Sequence, residues 1–256
     1  IFPRYHQLDV VRRLVDHAAH YGVGHTYLIQ HSAGSGKSNS ITWAAYQLIE
    51  AYPATNDVHG SHGIDQPLFD SVIVVTDRRL LDKQLRENIK EFSEVKNIIA
   101  PANKSSELKS ALENGKKIII TTIQKFPFIV DGISDLSDKR FAVIIDEAHR
   151  SVYQKYRSIF DWFDSLLVGL TATPKDEVDH NTYRLFNLED GVPTDAYGLD
   201  DAVNEGFLVP AVGISVDTKF LRQGIRYNDL SETEKDDWDA LDWGEADAPD
   251  AMSAEE

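Results

Sequence analysis

The chain has no cysteine. Disulfides, thiol catalysis and cysteine-ligated metals are therefore excluded, and a reducing, cytoplasmic setting is the expectation. It also lacks any apolar run long enough to span a bilayer, and no signal-peptide pattern opens it, so no membrane partner is expected. A basic excess is missing too: Lys and Arg number 26 against 42 Asp and Glu, a net charge of −16. Evenly spread, that balance argues against nucleic acid as a partner. The spread is uneven. Residues 229–256 hold twelve acids against Lys235 alone, which is −11 of the −16 and leaves −5 for residues 1–228. Within that larger part the basic pairs Arg78-Arg79 and Lys116-Lys117 are candidates for facing a phosphate backbone. The chain opens on Ile1 rather than Met, in mid-pattern, and is expected to be a piece of a longer protein.

What is present is an ordinary soluble composition, 42% hydrophobic and 27% charged over 256 residues, enough for one good-sized core with appendages. Helical spacing runs from Ile1 to His20 through Leu8, Val11, Leu14, Val15 and Ala18. Thr26–Gln30 reads as a core strand, Ser38–Ala51 as a helix closed by Pro53, and the polar stretch Pro53–Pro67 as a surface loop open to disorder. Ser71–Thr76, Lys117–Thr121, Phe141–Ile145 and Leu166–Leu170 are β-branched or aliphatic runs of the kind buried on both faces of a sheet. Between them fall helical patterns at Leu80–Phe92, around Ile123–Ile129 and at Tyr153–Phe163; Leu199–Glu205 is a further helix candidate and Val209–Val216 a strand candidate. Strands alternating with helices imply an α/β domain, a mostly parallel sheet with helices on both faces.

In such sheets ligands bind at the carboxyl ends of the strands, and the polar residues of interest gather there. After the first strand come His31-Ser32-Ala33-Gly34-Ser35-Gly36-Lys37-Ser38, then a helix. Glycines that let backbone N–H groups curl round an anion, followed by a helix N-terminus and Lys-Ser, make a phosphate-binding P-loop for a nucleoside triphosphate. Lys37 would reach the β- and γ-phosphates and the Ser38 hydroxyl would ligate Mg²⁺. His31 departs from the full motif, which has Gly there. The strand Phe141–Ile145 runs into Asp146-Glu147-Ala148-His149, 109 residues beyond Lys37. Adjacent carboxylates at a strand end suit ATP hydrolysis, Asp146 on the metal side and Glu147 orienting and deprotonating water; an acidic helix start is the plainer alternative.

Ser32–Ser38, Asp146-Glu147-Ala148-His149 and Thr171-Ala172-Thr173-Pro174 match, in order, motifs I, II and III of superfamily 2 helicases and translocases. Within that superfamily the chain most resembles the motor (R) subunit of type I restriction enzymes. The resemblance is carried by Pro3-Arg4-Tyr5-His6-Gln7, Leu28–Ser40, Thr76–Leu81, Thr121–Phe126 and Asp146–Ser151, and His31 is at home in that family.

The resemblance implies a RecA-like ATP-binding lobe over residues 1–210 and, over 211–256, an irregular, mobile acidic extension leading to a second lobe. It implies ATP and Mg²⁺ as cofactors, held by Gln7, Ala33, Gly34, Ser35, Gly36, Lys37, Ser38 and Asp146. Gln7 resembles the glutamine that reads adenine; an exposed helix glutamine is the plainer reading. Thr171 and Thr173, with His149, resemble the motif that couples nucleotide state to nucleic-acid grip, or else satisfy strand-end backbone groups. Arg78, Arg79, Thr122, Gln124 and Lys125 fall where the superfamily holds one phosphate backbone, residue types that grip without reading bases, although one of the two arginines is expected to be a bystander on a solvated helix face. Implied partners are double-stranded DNA, the methyltransferase and specificity subunits of a restriction complex, and a second RecA-like lobe and a nuclease domain of the same longer chain. Another superfamily 2 motor, or a nucleotide-dependent binding switch, are the competing readings.

Overall fold

The computed structural model describes residues 2–76, 99–102, 104–125, 139–148, 165–174, 182–210, 225–230, 235 and 251–252. Two compact units divide the chain, Ile1–Val209 and Pro210–Glu256. The first is a seven-stranded parallel sheet. Its strands are β1 (Thr26–His31), β2 (Ser71–Thr76), β3 (Ile99–Pro101), β4 (Ile118–Thr122), β5 (Phe141–Asp146), β6 (Ser165–Thr171) and β7 (Asp195–Tyr197), in spatial order β3-β4-β2-β5-β6-β1-β7. The helices are α1 (Tyr5–Tyr21), α2 (Lys37–Ile49), α3 (Ser105–Glu113), α4 (Thr182–Leu185) and α5 (Leu199–Asn204).

Every residue of β2, β5 and β6 is buried, as expected of strands covered on both sides. Side chains alternate across a strand, so each strand feeds both layers. Val72, Val74, Ala142, Ile144, Leu166 and Val168 join one core with Val10, Val11 and Leu14 of α1 and Ile41, Ala45 and Leu48 of α2. Ile73, Val75, Phe141, Val143 and Ile145 join the other, with Leu108 and Leu112 of α3 and Tyr183, Leu185 and Phe186. The predicted mostly parallel sheet with helices on both faces is the observed one. On α1 the buried stripe runs through Val10 and Val11 rather than Leu8, which stays exposed.

Some local readings change. Pro53–Pro67 is not a detached loop: Val58 is buried, Val23 N–H reaches His59 O at 3.4 Å, and the buried Arg140 donates to Gly60 O at 3.3 Å. Arg140 also bonds the Asp70 carboxylate through its backbone N–H at 2.8 Å and its Nε at 3.3 Å, tying the end of the loop to the start of β5. Around Ile123 the described turn is a short 3-10 helix, Ile123–Lys125. Lys116 and Lys117 precede β4, at the end of the sheet opposite the strand carboxyl ends, so they do not face the same edge as the P-loop. The helical patterns at 80–92 and 153–163, residues 211–216 of the strand candidate and most of the acidic tail lie outside the described residues. In the second unit Ile225–Arg226 (β8) pairs antiparallel with Ala251–Met252 (β9).

Candidate nucleotide-binding site

β1 ends at His31 and α2 begins at Lys37, leaving Ser32–Gly36 as the loop. Gly34 and Gly36 take left-handed backbone, φ 80° and 89°. Gly36 is required twice over: its φ disfavours a side chain, and a Cβ there would lie 2.4 Å from Gln7 Nε2. The loop closes through Ser35 N–H to Ser32 O at 3.2 Å, and Asn39 N–H to Gly36 O at 2.9 Å starts the helix. Lys37 folds back, with Nζ 3.4 Å from His31 O and 3.5 Å from Ser32 O. The hydroxyls of Ser32 and Ser35 are buried, with no hydrogen-bond partner among the described residues. Ala33 and Gly34 are exposed at the apex.

His31 ceases to be an anomaly. It is the last strand residue, so its position asks for no glycine. Its ring is fully buried, with Nε2 2.7 Å from Asp195 Oδ2 on β7. Asp195 also pairs with Arg13 of α1. Burial raises the Asp195 pKa, but its bonds to His31 and Arg13 outweigh that and hold it below the usual carboxylate range.

Gln7 is not an exposed helix glutamine. It is buried, its Nε2 donates to Ser35 O and Gly36 O at 3.1 Å each, and its Oε1 accepts Arg4 N–H at 2.9 Å. Next to it His6 Nε2 donates to Ser35 O at 3.1 Å. Burial holds the His6 imidazole below its ordinary pKa, which favours this neutral donor form.

Two strands away, β5 delivers the acid pair. Asp146 is buried, its Oδ1 accepting the Glu147 N–H at 3.0 Å. Ala148 N–H is tied to Leu170 O on β6 at 3.0 Å, and between those anchors Glu147 sits at φ 54°, a left-handed conformation costly for a residue with a side chain. Burial and the Glu147 charge push the Asp146 carboxyl up to about 6, against the opposing pull of Lys37 and the Glu147 N–H. The register levels these strand ends: Asp146 lies beside Leu170, and Thr171 beside Gln30. Thr171 is buried, its Oγ1 accepting Thr173 N–H at 3.2 Å, and Thr173 is exposed. Lys37, Asp146, Glu147 and Thr171 are thus brought to one edge.

The raised Asp146 pKa has a sign for stability. Between the ordinary value of 3.8 and about 6 the folded chain holds a proton that the unfolded chain has lost, so stability falls as pH rises through that window. At neutral pH the buried charge costs about 2–3 kcal/mol at roughly 1.4 kcal/mol per pKa unit. Asp146→Asn is therefore expected to raise the melting temperature of the metal-free chain near pH 7.5 and to leave it nearly unchanged near pH 4. Thermal melts at the two pH values check this; a variant equally destabilised at both would contradict it.

The residues expected on the nucleic acid divide. Thr122 ends β4 and is buried, Gln124 is exposed, and Lys125 is partly buried with Nζ 2.6 Å from Ala102 O. Arg78, Arg79 and His149 lie outside the described residues. Asp195, Tyr197 and Leu208, which bear on the P-loop, are marked by no motif in the sequence, and His6 stands in a family-like stretch that gives it no role. The pairing of His31 with Asp195 spans 164 positions, and no local pattern signals it.

The model for the SWI2/SNF2 ATPase family matches residues 6–239. The endonuclease subunit of the type I restriction enzyme EcoAI from Escherichia coli is 26% identical over 232 residues, which are 88% of this chain and 25% of that subunit. The chain therefore spans about a quarter of that relative's length. Among solved structures, a nuclease-deletion mutant of the Type ISP restriction-modification enzyme LlaGI, in complex with a DNA substrate mimic, has a TM-score of 0.55 at 15% identity, over 80% of this chain and 20% of that one. The Sulfolobus solfataricus SWI2/SNF2 ATPase core, in complex with double-stranded DNA, has a TM-score of 0.53 at 16% identity, over 75% and 36%. Both share the RecA-like fold. Matched by one family model along nearly its whole length, the chain belongs to the SWI2/SNF2 ATPase family.

Proposed function

We propose that this chain is the first RecA-like lobe of a type I restriction enzyme's motor subunit, binding and hydrolysing ATP to drive movement along duplex DNA. The observation that carries the reading is geometric: the register of β1, β6 and β5 brings the glycine loop and Lys37, which follow β1, to the same sheet edge as the Asp146-Glu147 pair that ends β5. The residues fit the nucleotide. Two buried hydroxyls, Ser32 and Ser35, have no partner among the described residues, and the exposed apex at Ala33 and Gly34 follows the left-handed loop geometry of an anion cradle. They also fit Mg²⁺. The buried Asp146 carboxylate and the Ser38 hydroxyl are hard oxygen donors, and this ion takes one or two such protein ligands beside phosphates and water.

In this reading Ala33, Gly34, Ser35, Gly36 and Lys37 hold the phosphates, Ser38 and Asp146 hold Mg²⁺, and Gln7 borders the base while bracing the loop. Bound Mg²⁺ neutralises charge on the phosphates. Glu147, aimed by its strained backbone, orients the attacking water and takes its proton. Thr171, Thr173 and His149 pass the nucleotide state on. Arg78, Arg79, Thr122, Gln124 and Lys125 grip the DNA backbone, Thr122 only after its buried hydroxyl is uncovered. A second lobe would add an arginine finger, and the longer protein its nuclease domain and its methyltransferase and specificity partners.

The chain alone is accordingly expected to bind ATP weakly and to hydrolyse it slowly, because that finger is worth about 10³–10⁵ in rate where it has been removed from such enzymes. Phosphate release by the two-lobed protein should be stimulated by duplex DNA and not by RNA. Stimulation by RNA alone would overturn the assignment to DNA translocation, and brisk DNA-stimulated turnover by the isolated chain would overturn the half-cleft reading.

A further inference from the structure

The wall behind the phosphate loop is built by the stretch through which the chain leaves the sheet. Asp195 meets the buried His31 ring at 2.7 Å. Tyr197 stacks on His6, with ring centroids 3.9 Å apart and planes 10° apart, and His6 holds Ser35 O. Just past α5, Glu205 accepts the hydroxyls of Tyr5 at 2.5 Å and Tyr197 at 2.7 Å. Leu208 then reaches the loop apex, where a Cβ on Gly34 would lie 3.0 Å from its Cδ2. Val209 is the last residue of the first unit, and at Pro210 the chain enters the second.

This stretch does little for the sheet. β7 has three residues and, among the described residues, pairs with β1 alone, at Ile29, Gln30 and His31, the strand residues next to the loop. Its side-chain bonds outside the stretch go to His31 at the loop's first flank and to Arg13 and Tyr5 of α1, while its backbone takes the loop itself, Tyr197 O accepting Ser32 N–H at 2.9 Å. Gly34 is the exposed, left-handed apex of a loop whose successive backbone N–H groups can face an anion. Among the described residues other than its chain neighbours, Leu208 is the side chain nearest the space where a Cβ of Gly34 would stand.

We propose that residues 195–208 are a positioning strap on the phosphate loop, which holds its anion-binding shape and carries a change in that shape to the junction at Val209–Pro210. The strap rests on the ATP reading above. A shift of Gly34 on phosphate binding presses on or releases Leu208; the Tyr5 hydroxyl on Glu205 ties the segment to α1, and the Tyr197 hydroxyl on Glu205 ties its two ends to each other. By reciprocity, a perturbed strap weakens nucleotide binding by the same free energy with which the nucleotide steadies the strap.

Amide exchange on the chain, with and without a non-hydrolysable ATP analogue and Mg²⁺, tests this without any substitution. Slower exchange over residues 199–209 on adding the analogue is the expected result. Leu208→Ala should weaken analogue binding by about fivefold or more, the low end of site-to-site coupling; Leu208→Val, a smaller change, serves if the alanine variant folds poorly. A purely structural role would lower the melting temperature and leave both readouts unmoved. Unchanged exchange at 199–209 in a chain that binds the analogue, together with unaltered affinity in the Leu208 variant, would overturn the strap. If the unmodified chain binds no analogue, the ATP reading itself falls and the strap with it; that result precedes any Leu208 variant, so the two failures are distinguishable.

Discussion

Replacing Glu147 by glutamine is expected to cut ATP turnover in the two-lobed protein by about 10²- to 10⁴-fold, the usual weight of a general base, while nucleotide affinity stays within about twofold, a few tenths of a kcal/mol. The amide keeps the size and reach of the carboxylate but cannot accept the proton of water. The backbone strengthens this expectation. Glu147 is held at φ 54° between the bond from its own N–H to Asp146 Oδ1 and the bond from Ala148 N–H to Leu170 O. A non-glycine residue in that region costs about 1–3 kcal/mol and persists where function needs it. Glu147→Gly, which relaxes the strain, should therefore leave the fold as stable or stabler while losing the same turnover. Loss of turnover with gain of stability is the signature of a residue kept for chemistry. If glutamine at this position hydrolysed ATP at the normal rate, Glu147 would not be the base.

The largest effect on folding is expected at Gly169, in the middle of β6 beside Leu28 and Ile145. Its backbone is ordinary; what it supplies is room. A Cβ there would stand 2.2 Å from Phe186 Cζ and 2.8 Å from both Cε atoms, and that ring is fully buried in the core that α3 and Tyr183 share with the sheet. The ring cannot retreat freely, because Phe186 O accepts the Thr26 hydroxyl and Phe186 N–H is held by Tyr183 O at 3.0 Å. Even Gly169→Ala should destabilise by about 3 kcal/mol, the upper range for overpacking, against a gain of under about 1 kcal/mol from a stiffer unfolded chain. Gly169→Val should prevent stable folding, since the whole stability of such a domain is about 5–15 kcal/mol. Phe186→Leu in the Gly169→Ala background should recover part of the loss, a coupling expected of side chains in contact. Denaturant unfolding of the two single variants and the double variant reads it directly; simple additivity would show that the clash is relieved elsewhere.

The central strands are legible in the sequence because burial on both faces demands uninterrupted apolar runs, and Ser71–Thr76 and Phe141–Ile145 are such runs. β3 and β7 escape because three residues carry no period, and Pro101 reads as a break although an edge strand tolerates it. The polar composition of 53–67 hides the buried anchors, Pro53 and Val58, that pack the loop down. The placement of the candidate residues is just as legible: Lys37 opens the helix after the β1 loop, and Asp146 and Thr171 end β5 and β6, where local patterns put them, since a glycine loop and an acid pair are short-range features. The support behind them is long-range. Asp195 under His31, Tyr197 on His6 and Leu208 against Gly34 come from the far end of the domain. Gln7 shows the limit most plainly, because its type and place are readable from the sequence but its use on two loop carbonyls is not.

Equilibrium titration of the chain with Mg·ATP asks whether the loop from Ser32 to Ser38 holds a nucleoside triphosphate. Saturable binding at one site is predicted, weakened about 10- to 100-fold in Lys37→Ala, since a hydrogen bond to a charged group is worth about 1.5–3 kcal/mol. Binding of equal strength in the wild-type and Lys37→Ala chains, or none in either, would contradict it.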